Sequence, residues 1–131
     1  MGTIKSYTDI EQSKKLAKIL PLESADMVLL HEEPYETSDS KFDGLHQVLC
    51  VPFNKYGKLW RQKYKNISYF PCWSLAALLN LLPEIQGGKP IIALDDNYIT
   101  YPHMSDLHTK SDNLVDACYE MILKLHELNL L

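Results

Sequence analysis

Short apolar runs of changing period alternate along this chain with clusters of turn-forming residues. Thr8 and Glu11 form a capping-box pair, after which Ile10, Ala17 and Leu20 recur at helical spacing until Pro21 stops the run. A first helix is therefore expected over about residues 9–20. Residues 26–31 read as a short strand, and residues 32–44, rich in acids, Ser and Thr around Pro34, read as a surface loop. Residues 46–53 contain the β-favouring run Val48, Leu49, Cys50, Val51, and residues 54–57 supply turn chemistry before another extended segment. The pattern predicts a hairpin, with Trp60, Gln62 and Tyr64 on one face of its second arm and Leu59, Arg61 and Lys63 on the other.

Residues 71–82 predict a second helix, because Pro71 suits a first helical turn, good helix formers follow from Ser74, and Pro83 ends the run. Being apolar almost all round, it is expected to be buried centrally. Gly87 and Gly88 open a turn. Residues 91–94 and 98–101 flank Asp95, Asp96 and Asn97 as a second hairpin. Ser111 or Asp112 caps a last helix with Leu114, Cys118, Met121, Ile122, Leu125 and Leu128 on one face, and with Asp116, Glu120, Lys124 and Glu127 toward water. Short connections in this order predict an α+β fold, a mainly antiparallel sheet with N-terminal, central buried and C-terminal helices. The 131 residues are the size of one domain, taken as 1–131.

Composition adds little until it is divided along the chain. Apolar residues make up 46% and charged residues 23%, as in ordinary globular proteins, and the net charge of -4 argues against a surface built wholly for nucleic acid. The charges are segregated, however. Residues 1–43 carry five Lys against nine acids and residues 84–131 carry three Lys against eight, whereas residues 44–83 carry five basic residues and no acid. Three cysteines without a C-x-x-C pair signal neither a disulfide framework nor a thiolate zinc site, so reduced thiols in a cytoplasm are expected. The longest apolar run, 75–82, is interrupted by Asn80, so no membrane span is expected, and no apolar leader follows the start.

Three stretches, YTDIEQSKKLAKILPLESADM at 7–27, PCWSLAALL at 71–79 and VDACYEMILKLHEL at 115–128, together resemble small uncharacterised proteins of anaerobic gut bacteria and their phages or mobile elements. The resemblance spans both ends and the central helix. It implies a bacterial, cytoplasmic setting and brings no activity with it.

Three constellations could carry chemistry. The first is Cys72-Trp73-Ser74 at an expected helix start, where the helix N-terminus would lower a thiol pKa; papain-like proteases set their nucleophile in a similar Cys-Trp context. Phe70 and Pro71 replace that family's Gly-Ser, and Asn66 stands where its oxyanion glutamine would align. A base would come from His103 or His108. The ordinary alternative is a buried cysteine beside a core tryptophan. The second is His103, Asp106 and His108, all side chains that bind zinc, iron or manganese, although in a turn they more commonly serve as solvated or capping groups. The third is the arm Lys55, Tyr56, Lys58, Trp60, Arg61, Lys63, Tyr64 and Lys65, with five cations and three aromatics in eleven residues. It suits phosphate contact with base stacking, or an acidic protein surface, including that of a second copy; the plain alternative is a Lys-guarded strand edge. With no phosphate loop or dinucleotide fingerprint, no cofactor is expected. The sequence thus favours a non-enzymatic binding module using residues 55–65, with a small cysteine hydrolase built on Cys72 as the alternative.

Overall fold

The computed structural model describes residues 5–32, 35–36, 41–42, 45–53 and 67–131. It is an α+β fold with antiparallel sheets and N-terminal, central and C-terminal helices. The chain divides into two compact units, Asp9–Trp73 and the segment ending at Thr8 together with Ser74–Leu131.

In the Asp9–Trp73 unit, helix α1 (Ile10–Leu16) opens one residue later than Thr8 and Glu11 suggest. Asp9 is the N-cap: the Gln12 N–H donates to Asp9 Oδ1 at 2.8 Å, and the Asp9 N–H donates to Gln12 Oε1 at 3.1 Å. Two overlapping capping boxes stand in the sequence, and the second one forms, satisfying the Gln12 and Asp9 N–H groups in place of those of Glu11 and Thr8. A 3-10 turn (Leu22–Ser24) leads into strand β1 (Met27–Glu32). Within the segment expected to be a loop, β2 (Tyr35–Glu36) pairs with β3 (Lys41–Phe42). Strands β4 (Leu45–Leu49) and β5 (Ile67–Cys72) complete a three-stranded sheet in the order β4-β1-β5.

Both neighbours of β1 are antiparallel, with Leu29 opposite Val48 on one side and Phe70 on the other. As the central strand, β1 buries Val28, Leu29 and Leu30 in succession, so both faces of the sheet are covered there. Helix α1 packs on β5 and places Lys14 Nζ 5.1 Å from the centroid of the Phe70 ring, within cation–π range. Trp73 is completely buried, and its indole N–H donates to Ser24 Oγ at 3.0 Å. The expected partner arm for residues 46–53, residues 58–64, lies outside the described residues.

Residues 71–72 correct the helix expected over 71–82. Pro71 lies in β5 opposite Val28, on an edge strand, where a missing N–H is tolerated. Helix α2 (Leu75–Leu81) starts only after Ser74, whose Oγ accepts from the Ala77 N–H at 3.1 Å. It is also less enclosed than its apolar sequence implies, with Leu78 fully buried while Ala76 and Asn80 are exposed.

In the Ser74–Leu131 unit, the Leu75 N–H donates to the Ser6 carbonyl, and Lys5 forms an ion pair with Asp116 at 2.8 Å. Ile85 and Gly88 exchange two backbone hydrogen bonds of 2.9 Å around Gln86 and Gly87, whose φ values of 52° and 77° make a tight left-handed turn. Gly88 has no room for a side chain, since a Cβ there would approach Pro102 Cγ to 2.8 Å. The expected hairpin follows as β6 (Ile91–Ala93) and β7 (Tyr98–Tyr101), joined through Asn97 at φ 50°. A third strand, β8 (Met104–Lys110), pairs with β7 across a register irregularity at Thr100/Tyr101.

Helix α3 (Leu114–Glu127) packs on β7 and β8. Its N-cap is Asn113, not Ser111 or Asp112, with Asn113 Oδ1 accepting from the Asp116 N–H at 2.8 Å. The expected apolar stripe is buried at Leu114, Cys118, Met121, Ile122 and Leu125, joined by Val115 and Ala117. Leu128 is exposed instead, because the helix ends there in a Schellman turn: Leu130 N–H donates to Leu125 O at 2.8 Å, Asn129 N–H donates to His126 O, and Asn129 has φ 56°. No helix among the described residues is long and apolar enough to cross a membrane.

Candidate functional site

The β6-β7-β8 sheet has two unlike faces. Strand alternation points Ile92, Ile99 and Thr109, which lie in register, toward α3; Ile99 and Thr109 are fully buried there. Thr109 Oγ1 donates to the Ala117 carbonyl at 2.7 Å, fastening the sheet to the helix. The opposite face carries Ile91, Thr100 and His108 in one register row and Ala93, Tyr98 and Lys110 in the next. His108 and Lys110 are exposed on it, and the Tyr98 and His108 rings lie 5.9 Å apart with their planes tilted by 33°. Lys124 reaches the β8 edge and donates to the His108 carbonyl at 2.9 Å.

The metal candidates are placed by this strand. Asp106 and His108 are both exposed residues of β8, two positions apart on its outer face, while His103 sits in the preceding turn. The expectation of a turn holds for His103 and is corrected for Asp106 and His108, because Leu107 and Thr109 alternate inward and draw that segment into the sheet. Among the described residues, no three His, Cys, Asp or Glu side chains gather as metal ligands would.

Cys72, the nucleophile candidate, is the last residue of β5, opposite Met27 and two residues ahead of the α2 N-cap. Its premise was a place in the first helical turn, and the edge-strand position of Pro71 removes it. Cys72 is 0% exposed, as is Cys118, whereas Cys50 is exposed. Burial pushes the Cys118 thiol from its usual 9 up to about 12, so it stays protonated and a poor nucleophile at neutral pH. Burial likewise raises the Tyr101 phenol to about 12, and that hydroxyl donates to the Pro83 carbonyl at 2.8 Å. The basic arm, with Lys55, Lys58, Trp60, Arg61, Lys63, Tyr64 and Lys65, lies outside the described residues.

Sequence reasoning missed the open sheet face because β8 was hidden in a segment read for its His and Asp residues. The signal was present in the two-residue alternation of Leu107 and Thr109 with Asp106, His108 and Lys110. No protein-family model, curated protein or solved structure matches the chain.

Proposed function

We propose that this chain is a non-enzymatic binding module of bacterial or phage origin, working in the cytoplasm and meeting an acidic protein surface through the basic arm at residues 55–65. The observation that carries the reading is the complete burial of Cys72 at a strand end. A thiol with no exposed surface is poorly placed to attack a substrate, which favours binding over hydrolysis as the role of the chain. The partner's chemistry follows from charge: residues 44–83 contain five cations and no acid, so an acidic partner would supply the complement. The setting rests on the resemblance of residues 7–27, 71–79 and 115–128.

Titration of labelled acidic peptide and labelled single-stranded oligonucleotide at low and high salt tests this reading. Peptide binding that weakens with salt and is lost in Lys63→Glu/Lys65→Glu supports it. Tighter binding of the oligonucleotide, with Trp60→Ala costing about 1–3 kcal/mol, would reassign the arm to nucleic acid. Iodoacetamide labelling of the native protein supplies the second arm of the test. Cys50 is expected to react and Cys72 only after denaturation; fast native labelling of Cys72 would revive the hydrolase reading.

A further inference from the structure

The two edges of the β6-β7-β8 sheet are protected very differently. Strand β8 presents the charged or polar Asp106, His108 and Lys110 to solvent, the usual guard of a free edge. Strand β6, the other edge among the described residues, lies with its flanks in a stretch without charge from residue 90 to residue 94, which reads Pro-Ile-Ile-Ala-Leu. Ile91 is 54% exposed and Leu94, which opens the following turn, 72% exposed; among the large apolar side chains of the described residues only Leu128, at the end of α3, is as open as Ile91. Unpaired backbone groups beside exposed apolar side chains form a template for another strand.

The charges just beyond this apolar stretch select the occupant. Lys89 precedes it and Asp95 and Asp96 follow it, all three exposed. We propose that two copies of this chain pair their β6 strands antiparallel about Ile92. That register sets Ile91 opposite Ala93, and beyond this three-residue ladder it brings Lys89 of each copy to the end where Asp95 opens the β6–β7 turn of the other; the two-fold axis repeats each contact. Parallel pairing in register would put Lys89 beside Lys89 and acid beside acid. Pro90, which lacks a donor, falls at the end of the ladder, where the missing bond costs least. The pairing extends the sheet to six strands and leaves outermost the two guarded β8 edges, so the assembly closes at a dimer. A three-residue strand and its flanks make a small interface, so the dimer is weak and depends on protein concentration.

The proposal is independent of the basic arm, and a charge exchange separates the two. Sedimentation velocity of the full chain between about 10 μM and about 1 mM is expected to show monomer passing to dimer. Lys89→Glu and Asp95→Lys alone each turn two attractive pairs into repulsive ones and are expected to weaken the dimer about tenfold. The double variant Lys89→Glu/Asp95→Lys restores the attraction, and with it the dimer. Both positions are exposed, so circular dichroism is expected to be unchanged throughout. A monomer at every concentration overturns the proposal. So does a dimer that ignores both single variants, or one that is lost on Lys63→Glu/Lys65→Glu while the charge exchange has no effect.

Discussion

The buried thiol of Cys118 makes the stability of this protein fall at alkaline pH in a way that one substitution removes. Cys118 is fully buried on the face of α3 that packs on β7 and β8, and its pKa stands at about 12 against a usual 9. The folded-state value is the higher one, so the stabilisation is fully present below pH 9 and is lost as pH rises toward 12. Above pH 9 the unfolded chain sheds this proton while the folded chain holds it, favouring unfolding by about 1.4 kcal/mol per pH unit. Integrated from pH 8 to pH 10, the loss from this group comes to roughly 1.4 kcal/mol. Tyr101, also held up to about 12 from a usual 10, adds in the same direction only as pH passes 10. The assay is urea unfolding followed by far-ultraviolet circular dichroism at pH 7.5, 8, 9 and 10 under reducing conditions. Cys118→Ala is expected to start about 1 kcal/mol less stable at pH 7.5, through lost burial of the sulfur, but to fall by about 1.4 kcal/mol less between pH 8 and pH 10. Equal losses in parent and variant over that interval would refute the claim that burial holds this thiol neutral.

Two further outcomes follow from one hydrogen bond and one backbone angle. Ser24→Ala removes the acceptor of the buried Trp73 indole and is expected to cost about 1 kcal/mol. In a cycle with Trp73→Phe, the two costs should fall short of adding up; strict additivity would mean that this 3.0 Å bond contributes nothing. Asn129 holds φ 56° at the end of α3, so Asn129→Ala is expected to cost about 1 kcal/mol while Asn129→Gly is neutral or slightly stabilising. Equal losses in the two variants, measured by thermal unfolding, would show that the left-handed cap is not under conformational control.

Several elements were legible in the sequence because their causes are local. The apolar stripe of α3 repeats over 14 residues, and Asp95, Asp96 and Asn97 mark the β6–β7 turn by their own backbone preferences. The α+β class follows from the order of such signals. Local rules misplaced both N-caps, because a hydrogen bond decides among neighbouring polar residues: the box expected at Thr8–Glu11 forms at Asp9–Gln12, and the cap expected at Ser111 or Asp112 is Asn113. The charge segregation that singles out residues 55–65 was also legible, being a property of composition alone.

Strand partnership could not be read from short windows, because it is decided by residues far apart in the chain. The pairing of β1 with both β4 and β5 joins Leu29 to Val48 and to Phe70, and no neighbouring residue of any of the three announces it. Pro71 shows the consequence for chemistry. Its missing N–H is equally compatible with a first helical turn and with an edge strand, and only the outer position of β5 in its sheet selects the strand. That choice carries Cys72 out of the expected helix start and into a fully buried strand end. The exposure of Ile91 and Leu94 was settled in the same way, since an apolar strand is core in the middle of a sheet and surface at its edge. What the sequence determined were segments whose stabilising contacts lie within a few residues; what the tertiary structure decided was which edges, thiols and side chains meet water, because solvent exposure belongs to the packed arrangement and not to any one segment.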